Sequence, residues 1–424
     1  MTAWRRAAMW VGGLAGAFAL GVALVLWLNV RGEASVTATR PGTAMTPELV
    51  ERGAYLSRAG NCLGCHTTPG GQAFAGGRRI ETPFGAVVAP NITPDETTGI
   101  GAWSTADFWR ALHHGRSRDG RLLYPAFPYP SFTKVRREDA DALFAYLRSV
   151  PAVQRRNDPH ELRFPYNTQA ALAVWRALYF RPADVQASPT RTTVLQRGEY
   201  LVQGLGHCAA CHSGRNFLGG TSLNAEFAGG LMPDQSWYAP SLTSPAEAGA
   251  QRMGREQVVG LLKRGVTAGA SVSGPMAEVV FSSTQYLSDA DLGAMAEYLA
   301  SLPVRAPAVP AFSPADPQSL QRGARLYADH CASCHGSSGE GAAGKYPPLA
   351  ANRAVTMPVA NNLVQMIRHG GFAPTTVGNP RPFGMPPYGQ VLSDQQIADV
   401  ATYVRQSWGN EAAAVSPLDV LHVR

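Results

Sequence analysis

The hydrophobic pattern of the chain begins with one long apolar run at residues 7–28, which carry no charge. At 1.5 Å per residue, about 20 helical residues span the ~30 Å hydrocarbon layer of a membrane. Arg5 and Arg6 precede the run, so we predict a transmembrane helix with the N-terminus in the cytoplasm and the rest of the chain outside. A cleaved signal peptide, cut near Val36–Ala38, is the alternative, but the run is longer than the roughly 7–15 residues of a signal core.

After this run, polar and apolar positions follow a helical period in three similar repeats, at residues 46–151, 191–303 and 317–410. Each repeat opens with a short helix that carries Arg-Gly and an aromatic residue. Each repeat closes with an amphipathic helix, and Ser288 and Ser393 have the residue type and position of N-caps. Because glycine has no side chain, we predict that each first helix crosses the last helix of its repeat closely. The three glycines are Gly53, Gly198 and Gly323.

All six cysteines fall in one motif, C-x-x-C-H, which occurs once in each repeat. This motif attaches c-type haem, because two thiols one helical turn apart bond to the haem and the adjacent imidazole ligates iron. A shared zinc site needs two cysteine pairs near each other, whereas these pairs lie far apart in the chain. We therefore predict three covalently bound haem c groups. The residues that hold them are Cys62, Cys65 and His66, then Cys208, Cys211 and His212, then Cys331, Cys334 and His335.

Composition narrows the functional classes further. The 424 residues suggest roughly two to four domains, and the 44 glycines and 32 prolines indicate many turns. The net charge of +7 is modest and the basic residues are scattered, so we expect no nucleic-acid partner. The sequence has no dinucleotide-binding glycine motif, and no cysteine remains for an iron–sulfur cluster.

Methionine is the usual ligand opposite histidine in an electron-transfer haem, and its thioether raises the reduction potential. Met276 and Met385 occupy matching positions before the last helix of the second and third repeats, so we predict that they are the distal iron ligands. The first repeat differs, because Phe127 stands at the matching position and no methionine lies between His66 and His207. Phenylalanine cannot coordinate iron.

Two histidines in the first repeat, His113 and His114, are candidate replacements for the missing ligand. Their counterparts in the other repeats include Lys263, Arg264 and Arg368, which are cations suited to a helix C-terminus. We therefore favour a helix-end role for the two histidines. The first haem is then expected to be five-coordinate, or to take an unidentified ligand, and to have a lower potential than the other two.

The order of elements in each repeat resembles the class I cytochrome c fold, in which the first and last helices pack together beside the C-x-x-C-H turn. The resemblance implies an all-α protein with three tandem class I cytochrome c domains behind an N-terminal transmembrane helix. A short helix is predicted near residues 172–180; we expect it to pack between domains, and a membrane-surface or partner-docking role is the alternative. The implied plan is an anchor or signal segment (1–35), domain 1 (46–151), a linker with a short helix (152–190), domain 2 (191–303), a Pro-rich linker (304–316), domain 3 (317–410) and a tail (411–424).

The whole chain resembles the triheme cytochrome c subunits of bacterial membrane-bound periplasmic dehydrogenases. The matching segments are 89–95, 99–104, 273–280 and 385–388. The resemblance implies an electron-transfer subunit in the cytoplasmic membrane, with its haem domains in the periplasm. It would carry electrons from a separate catalytic subunit of molybdopterin, quinoprotein or flavin type to ubiquinone or a terminal oxidase. Aldehyde or alcohol oxidation is the expected reaction of that partner, and many family members have methionine where Phe127 stands here.

A multihaem enzyme similar to a peroxidase is the alternative function. A vacant iron position at the first haem would allow peroxide to bind there. The aromatic residue among prolines at that position, and the lack of a clear distal acid–base pair in the sequence, favour electron transfer instead. In that interpretation the chain belongs to an oxidoreductase complex but is not its substrate-oxidising subunit.

Overall fold

The structure is a computed structural model that describes residues 3–33, 45–183, 191–221, 225–234, 236–267, 269–305 and 312–423. The candidate cleavage site at Val36–Ala38 lies outside the described residues. Helices form the framework of the molecule, and four small antiparallel sheets accompany them in the described parts of the chain. The expected all-α class is therefore confirmed only for this helical framework.

The elements run in chain order as follows. The helices are α1 (Ala3–Val30), α2 (Pro47–Ala59), α3 (Cys62–His66), α4 (Thr105–His114), α5 (Tyr129–Phe132), α6 (Arg137–Ser149), α7 (Gln169–Tyr179), α8 (Thr193–Glu199), α9 (Ala209–His212), α10 (Arg255–Arg264), α11 (Gly274–Ser282), α12 (Asp289–Ser301), α13 (Pro317–His330), α14 (Ala332–His335), α15 (Arg353–Thr356), α16 (Asn361–His369), α17 (Asp394–Arg405) and α18 (Pro417–His422). A π-helical turn, Tyr200–Leu205, continues α8. The strands are β1 (Arg79–Thr82), β2 (Gly85–Val88), β3 (Glu161–Leu162), β4 (Gly230–Leu231), β5 (Tyr238–Ala239), β6 (Val266–Thr267), β7 (Ala270–Ser271), β8 (Gly371–Phe372) and β9 (Gly384–Met385).

Each repeat is built on one pair of crossing helices, α2 with α6, α8 with α12, and α13 with α17. The predicted role of the glycines is confirmed. A Cβ atom added at Gly53 would lie 2.0 Å from the Ala142 carbonyl oxygen, and one at Gly198 would lie 2.0 Å from the Ala294 carbonyl oxygen. The same atom at Gly323 would lie 2.3 Å from the backbone of the opposite helix. Only glycine therefore allows the backbones to approach this closely.

The N-caps predicted for two of the closing helices are also confirmed. The Ser288 hydroxyl accepts a hydrogen bond from the Asp291 amide at the start of α12. Ser393 forms a reciprocal capping box with Gln396 at the start of α17. These contacts satisfy backbone N–H groups that have no partner within the helix. The serine at the matching position of the second and third repeats thus determines where each closing helix begins.

The first two repeats share one hydrophobic core, and the third repeat has a core of its own. Leu56 and Leu143 of the first repeat belong to the same buried cluster as Leu201 and Leu292 of the second. The third core also contains Val420 from α18, so the C-terminal tail packs into the third repeat. The molecule therefore consists of a fused pair and a third unit.

A reciprocal pair of hydrogen bonds joins the first two repeats. The Tyr55 hydroxyl, on the first helix of the first repeat, donates to Asp291 Oδ2 on the last helix of the second, at 2.6 Å. In return, the Tyr200 hydroxyl from the second repeat donates to Asp139 on the last helix of the first. Tyr55 and Tyr200 stand at matching positions, so the two repeats face each other across an approximate two-fold relation.

The segment assigned to the first linker packs closely on the first repeat. β3 pairs with β2, and the Asn91 side chain donates to the Val153 carbonyl oxygen at 2.7 Å. The Asn157 side-chain oxygen accepts a hydrogen bond from the backbone N–H of Asn91 at 2.6 Å. Further along, α7 lies between repeats, because Trp175 Nε1 donates to the Leu218 carbonyl oxygen of the second repeat at 3.0 Å. The buried side of α7 therefore packs between the first two repeats, as expected.

Candidate haem sites

The three C-x-x-C-H motifs fold alike, as single helical turns that follow the first helix of each repeat. α3 contains the first motif, and α9 and α14 contain most of the second and third. Asn61 and His207, which precede the first two motifs, have left-handed backbone φ angles of 48° and 37°. All six cysteines are half-buried and none forms a disulfide, so every thiol remains for a bond to haem.

In each motif the histidine Nδ1 lies within hydrogen-bond distance of a proline carbonyl oxygen. Because a carbonyl only accepts, Nδ1 carries the proton and Nε2 keeps its lone pair for a metal. Burial lowers the pKa of all three histidines, which favours the neutral imidazole that iron requires. The pairs are His66–Pro90 at 2.8 Å, His212–Pro240 at 2.7 Å and His335–Pro347 at 3.0 Å.

Sequence reasoning missed these three prolines as functional residues. They follow their histidines by 24, 28 and 12 positions, so no constant spacing marks them. The remaining signal is that a proline occurs somewhere in the loop after each motif. In a chain with 32 prolines that signal carries no weight.

One large cavity, with a volume of about 2490 Å³, lies against the first motif. Cys62, Cys65 and His66 line it, and Cys211 of the second motif lines it as well. It exceeds the roughly 300–1,000 Å³ of ordinary ligand pockets. The residues of the first site therefore leave room for a group as large as haem, and the first two motifs border the same space.

The cysteines do not form a zinc site within the described residues. No cluster of three or more His, Cys, Asp or Glu side chains there is arranged to hold a metal ion. Burial raises the pKa of Cys62 to about 11 and that of Cys208 to about 12. A structural zinc site needs four ligands, whereas each of these motifs offers two cysteines and one histidine, a donor set that fits haem attachment better than zinc.

Phe127 lies on the wall of the cavity at the first site, in the loop between α4 and α5. Its ring packs against that of Phe132, with ring centres 5.3 Å apart. The side chain is half-buried and adds apolar surface to the cavity wall. The residue that replaces methionine in the first repeat thus faces the first site and offers no iron ligand.

His113 and His114 are not among the residues that line this cavity. Both are buried in the last turn of α4, which confirms the expected helix-end position. The His113 ring stacks on Trp109 with ring centres 4.4 Å apart, and the His114 carbonyl oxygen accepts a hydrogen bond from Arg176 at 2.6 Å. Burial lowers the pKa of each histidine to about 4. The structure therefore places them in a packed junction away from the first site.

The two predicted methionine ligands lie in the segments that precede the last helices of their repeats. Met276 stands in the first turn of α11 and is half-buried. Met385 lies in β9 and packs, half-buried, against the same hydrophobic core as Cys331. Their role as iron ligands stays a prediction.

The helix that carries Met276 is braced on the first haem motif. Arg78 Nη2 donates to Glu278 Oε2 at 2.8 Å, and the same guanidinium also donates to the Gly64 carbonyl oxygen within the first motif. One turn later, the Ser282 hydroxyl donates to Asn61 Oδ1 at 2.7 Å. The position of α11 in the second repeat thus depends directly on the attachment turn of the first.

Helical repeats with half-buried C-x-x-C-H turns and proline-anchored histidines define a c-type cytochrome. A family model described as cytochrome c matches residues 50–151 and 320–408. The cytochrome c subunit of alcohol dehydrogenase (quinone) from Gluconacetobacter polyoxogenes is 39% identical over 421 residues, covering 94% of this chain and 90% of that protein. The gluconate 2-dehydrogenase cytochrome c subunit from Pantoea cypripedii is 38% identical over 399 residues, covering 89% of each.

A third relative, the fructose dehydrogenase cytochrome subunit from Gluconobacter japonicus, is 36% identical over 437 residues, covering 95% of this chain and 87% of that protein. The chain belongs to this family of cytochrome c subunits. Its function is electron transfer, and the family implies covalently bound haem c. The comparisons give no support to the peroxidase alternative.

Proposed function

We propose that the chain binds three haem c groups, one in each repeat, and relays electrons between a periplasmic dehydrogenase and the respiratory chain. The observation that carries this proposal is the proline carbonyl at each motif histidine, which recurs in all three repeats. When bound, haem c supplies one-electron chemistry at iron. Its holders would be the six cysteines and three histidines of the motifs, with Met276 and Met385 as further ligands in the second and third class I domains.

The proposed electron donor is a separate catalytic subunit of molybdopterin, quinoprotein or flavin type that oxidises an aldehyde or an alcohol. Support comes from the relatives, which are named as cytochrome subunits of alcohol, gluconate and fructose dehydrogenases. The proposed acceptor is ubiquinone or a terminal oxidase. The word quinone in the name of the first relative agrees with this acceptor.

The first two haem-attachment motifs lie close together at the interface of the first two repeats. His207 Nε2 lies 3.3 Å from the Gly60 carbonyl oxygen, so the residues that lead into Cys62 and Cys208 touch across the interface of the repeats. Cys65 and Cys211 border the same cavity. We therefore propose that the first and second sites act as an adjacent pair, while the third site belongs to the unit with a separate core.

α1 is the proposed membrane anchor, with the haem-binding body in the periplasm. Its length and composition suffice to cross a membrane, and a signal sequence near the N-terminus can have the same length and composition. Support for retention comes from residues just after the apolar run. Asn29 is buried, and Glu33 accepts a hydrogen bond from Arg116 at 2.9 Å. Cleavage near Ala38 would remove both residues and leave half-buried Arg116 and buried Arg176 without these partners.

The proposal is tested by reducing the purified full-length protein with its dehydrogenase. The gene product encoded beside this chain would be mixed with it, and an alcohol or an aldehyde added. We expect rapid reduction of the c-type absorbance and reoxidation by a soluble ubiquinone analogue. A Cys331→Ser, Cys334→Ser double variant is the control, because mass spectrometry should show one haem fewer than the three of the parent. Reduction that requires no dehydrogenase, or fewer than three haems on the parent chain, would contradict the proposal.

A further inference from the structure

The helix between the first and second repeats, α7, presents an apolar stripe to the outside. Apart from Gln169 at its first position, its exposed residues are Ala170, Val174 and Leu178, which lie four residues apart and so share one face. Val174 is 49% exposed and Leu178 is 55% exposed. The single charged residue of the helix, Arg176, is buried on the opposite side. A helix face in water normally carries polar or charged side chains, and this one carries none.

The same helix lies beside the last turn of the membrane anchor. Asn29 Nδ2 in α1 donates to the Ala173 carbonyl oxygen of α7 at 2.9 Å. In return, Arg176 Nε donates to Asn29 Oδ1 at 2.9 Å. Asn29 directly follows the apolar run, and the exposed indole of Trp27 stands two residues earlier. Because tryptophan marks the membrane interface, α7 lies at the level where α1 leaves the hydrocarbon.

The joint between the anchor and the body contains several buried polar contacts. Arg116 Nη2 donates to the Asn29 carbonyl oxygen at 3.0 Å, and its Nε donates to Glu33. Arg176 also donates to the His114 carbonyl oxygen at the end of α4. One helix from the membrane and two from the body therefore meet at shared side chains. Such a joint holds α7 in a fixed position relative to α1.

Two further aromatic side chains extend the apolar surface beside α7. Phe164 is 81% exposed and Phe217 is 85% exposed. Phe217 adjoins Leu218, whose carbonyl oxygen binds Trp175 of α7. In the sequence, Arg163 directly precedes Phe164 and Arg181 follows α7, and both arginines are exposed. Aromatic rings with nearby cations suit the boundary between acyl chains and lipid phosphates.

We propose that the exposed face of α7, together with Phe164 and Phe217, rests in the outer lipid surface of the membrane that α1 crosses. This inference rests on the proposed anchor. It gives the haem-binding body a fixed orientation instead of a free tether. All five of these side chains, Ala170, Val174, Leu178, Phe164 and Phe217, also line the cavity of the first site, so that cavity opens at the lipid surface.

The test is photolabelling of the full-length holoprotein in vesicles of phosphatidylethanolamine and phosphatidylglycerol that contain a diazirine-bearing lipid. Labelled residues are located by mass spectrometry. We expect label on α1 and also on α7 and Phe217. Label on α1 alone would overturn the lipid contact of α7 while leaving the anchor intact, and it would favour a protein partner for this face. Absence of label from both helices would overturn the anchor as well.

A matched pair of variants sharpens the test. The double variant Val174→Glu, Leu178→Glu changes exposed positions, so the helical fold should persist, and circular dichroism of the holoprotein checks this. We expect it to lose most of the label on α7 and Phe217 and to keep the label on α1. The control is Leu418→Glu, Leu421→Glu, which places the same charges on exposed leucines of α18 in the third repeat. Labelling of α7 that survives the first change, or is lost with the second, would overturn the proposal.

Discussion

At the scale of single residues, the first haem site differs from the other two at Phe127. The side chain lies on the cavity wall beside the motif, in the position where the second and third repeats have methionine. An apolar ring at this position would shield a bound haem iron from water and could not ligate it. A site of this kind lacks the thioether that raises the potential of a haem, so the first haem should have the lowest potential of the three.

Restoring methionine at this position tests the interpretation. In Phe127→Met we expect the absorption and EPR features of His/Met ligation to appear at the first haem, and its reduction potential to rise. Phe144→Met is the matched control, because Phe144 is buried in the same repeat and is not among the residues that line the cavity. Spectra and potentials that stay unchanged in Phe127→Met would show that Phe127 does not face the iron.

The two buried histidines predict a pH dependence of stability. Burial lowers the pKa of His113 and of His114 to about 4, with their mutual repulsion adding to the effect at His113. Histidine in an unfolded chain titrates near a pKa of about 6.5, so the unfolded state binds more protons in this window. The stabilisation is therefore complete above about pH 6.5 and is lost as the pH falls towards about 4.

The variant His113→Phe keeps a ring stacked on Trp109 and removes one titrating group. Between pH 7 and pH 5 we expect the parent to lose up to about 2 kcal/mol of unfolding free energy for each histidine, and the variant to lose correspondingly less. Denaturant unfolding at the two pH values measures the difference. The haem spectrum should not change, and a lost low-spin signal would instead identify His113 as an iron ligand.

At the scale of elements, each repeat depends on one helix crossing. The sequence predicted these helices because their apolar positions recur at helical spacing, and it predicted the crossings because glycine stands at one place in each first helix. The same reasoning could not find Pro90, Pro240 or Pro347, since loops of different length bring them to the histidines. It also left α18 as an unassigned tail, although its apolar residues complete the third core.

The crossing glycines give a prediction of stability. In Gly53→Ala the added methyl group would meet the Ala142 carbonyl oxygen, which belongs to a helix backbone and cannot move aside cheaply. We expect the unfolding free energy to fall by about 1–3 kcal/mol, which is the usual effect of overpacking. Gly254→Ala is the control, because nothing lies within 4 Å of its added Cβ. Equal stability of the two variants in denaturant would contradict the close crossing.

At the scale of the whole molecule, the chain forms a pair of repeats and a third unit. The pairing depends on Tyr55 and Tyr200, each of which reaches the aspartate of the other repeat. In the third repeat Arg325 stands at the matching position, so the third unit lacks this tyrosine. The sequence contains this difference but does not show that it separates the paired repeats from the third, because the contacts join residues on different repeats far apart in the chain.

Removing one of these hydroxyl groups should loosen the pair. In Tyr200→Phe, buried Asp139 keeps Arg52 but loses a hydrogen bond to its charged carboxylate. We expect a cost of about 1.5–3 kcal/mol, measured by denaturant unfolding of the holoprotein. The control is Tyr286→Phe at a half-exposed surface position, where a change within about 0.5 kcal/mol is expected. Similar values for the two variants would mean that the reciprocal contact does not stabilise the pair.

We propose a relay of three haems in which the first differs from the other two. A potentiometric titration of the full-length holoprotein, followed by optical and EPR spectra at each step, tests it most directly. We expect three one-electron steps, of which two show His/Met signatures and the one of lowest potential does not. Three identical His/Met signals, or fewer than three steps, would contradict it.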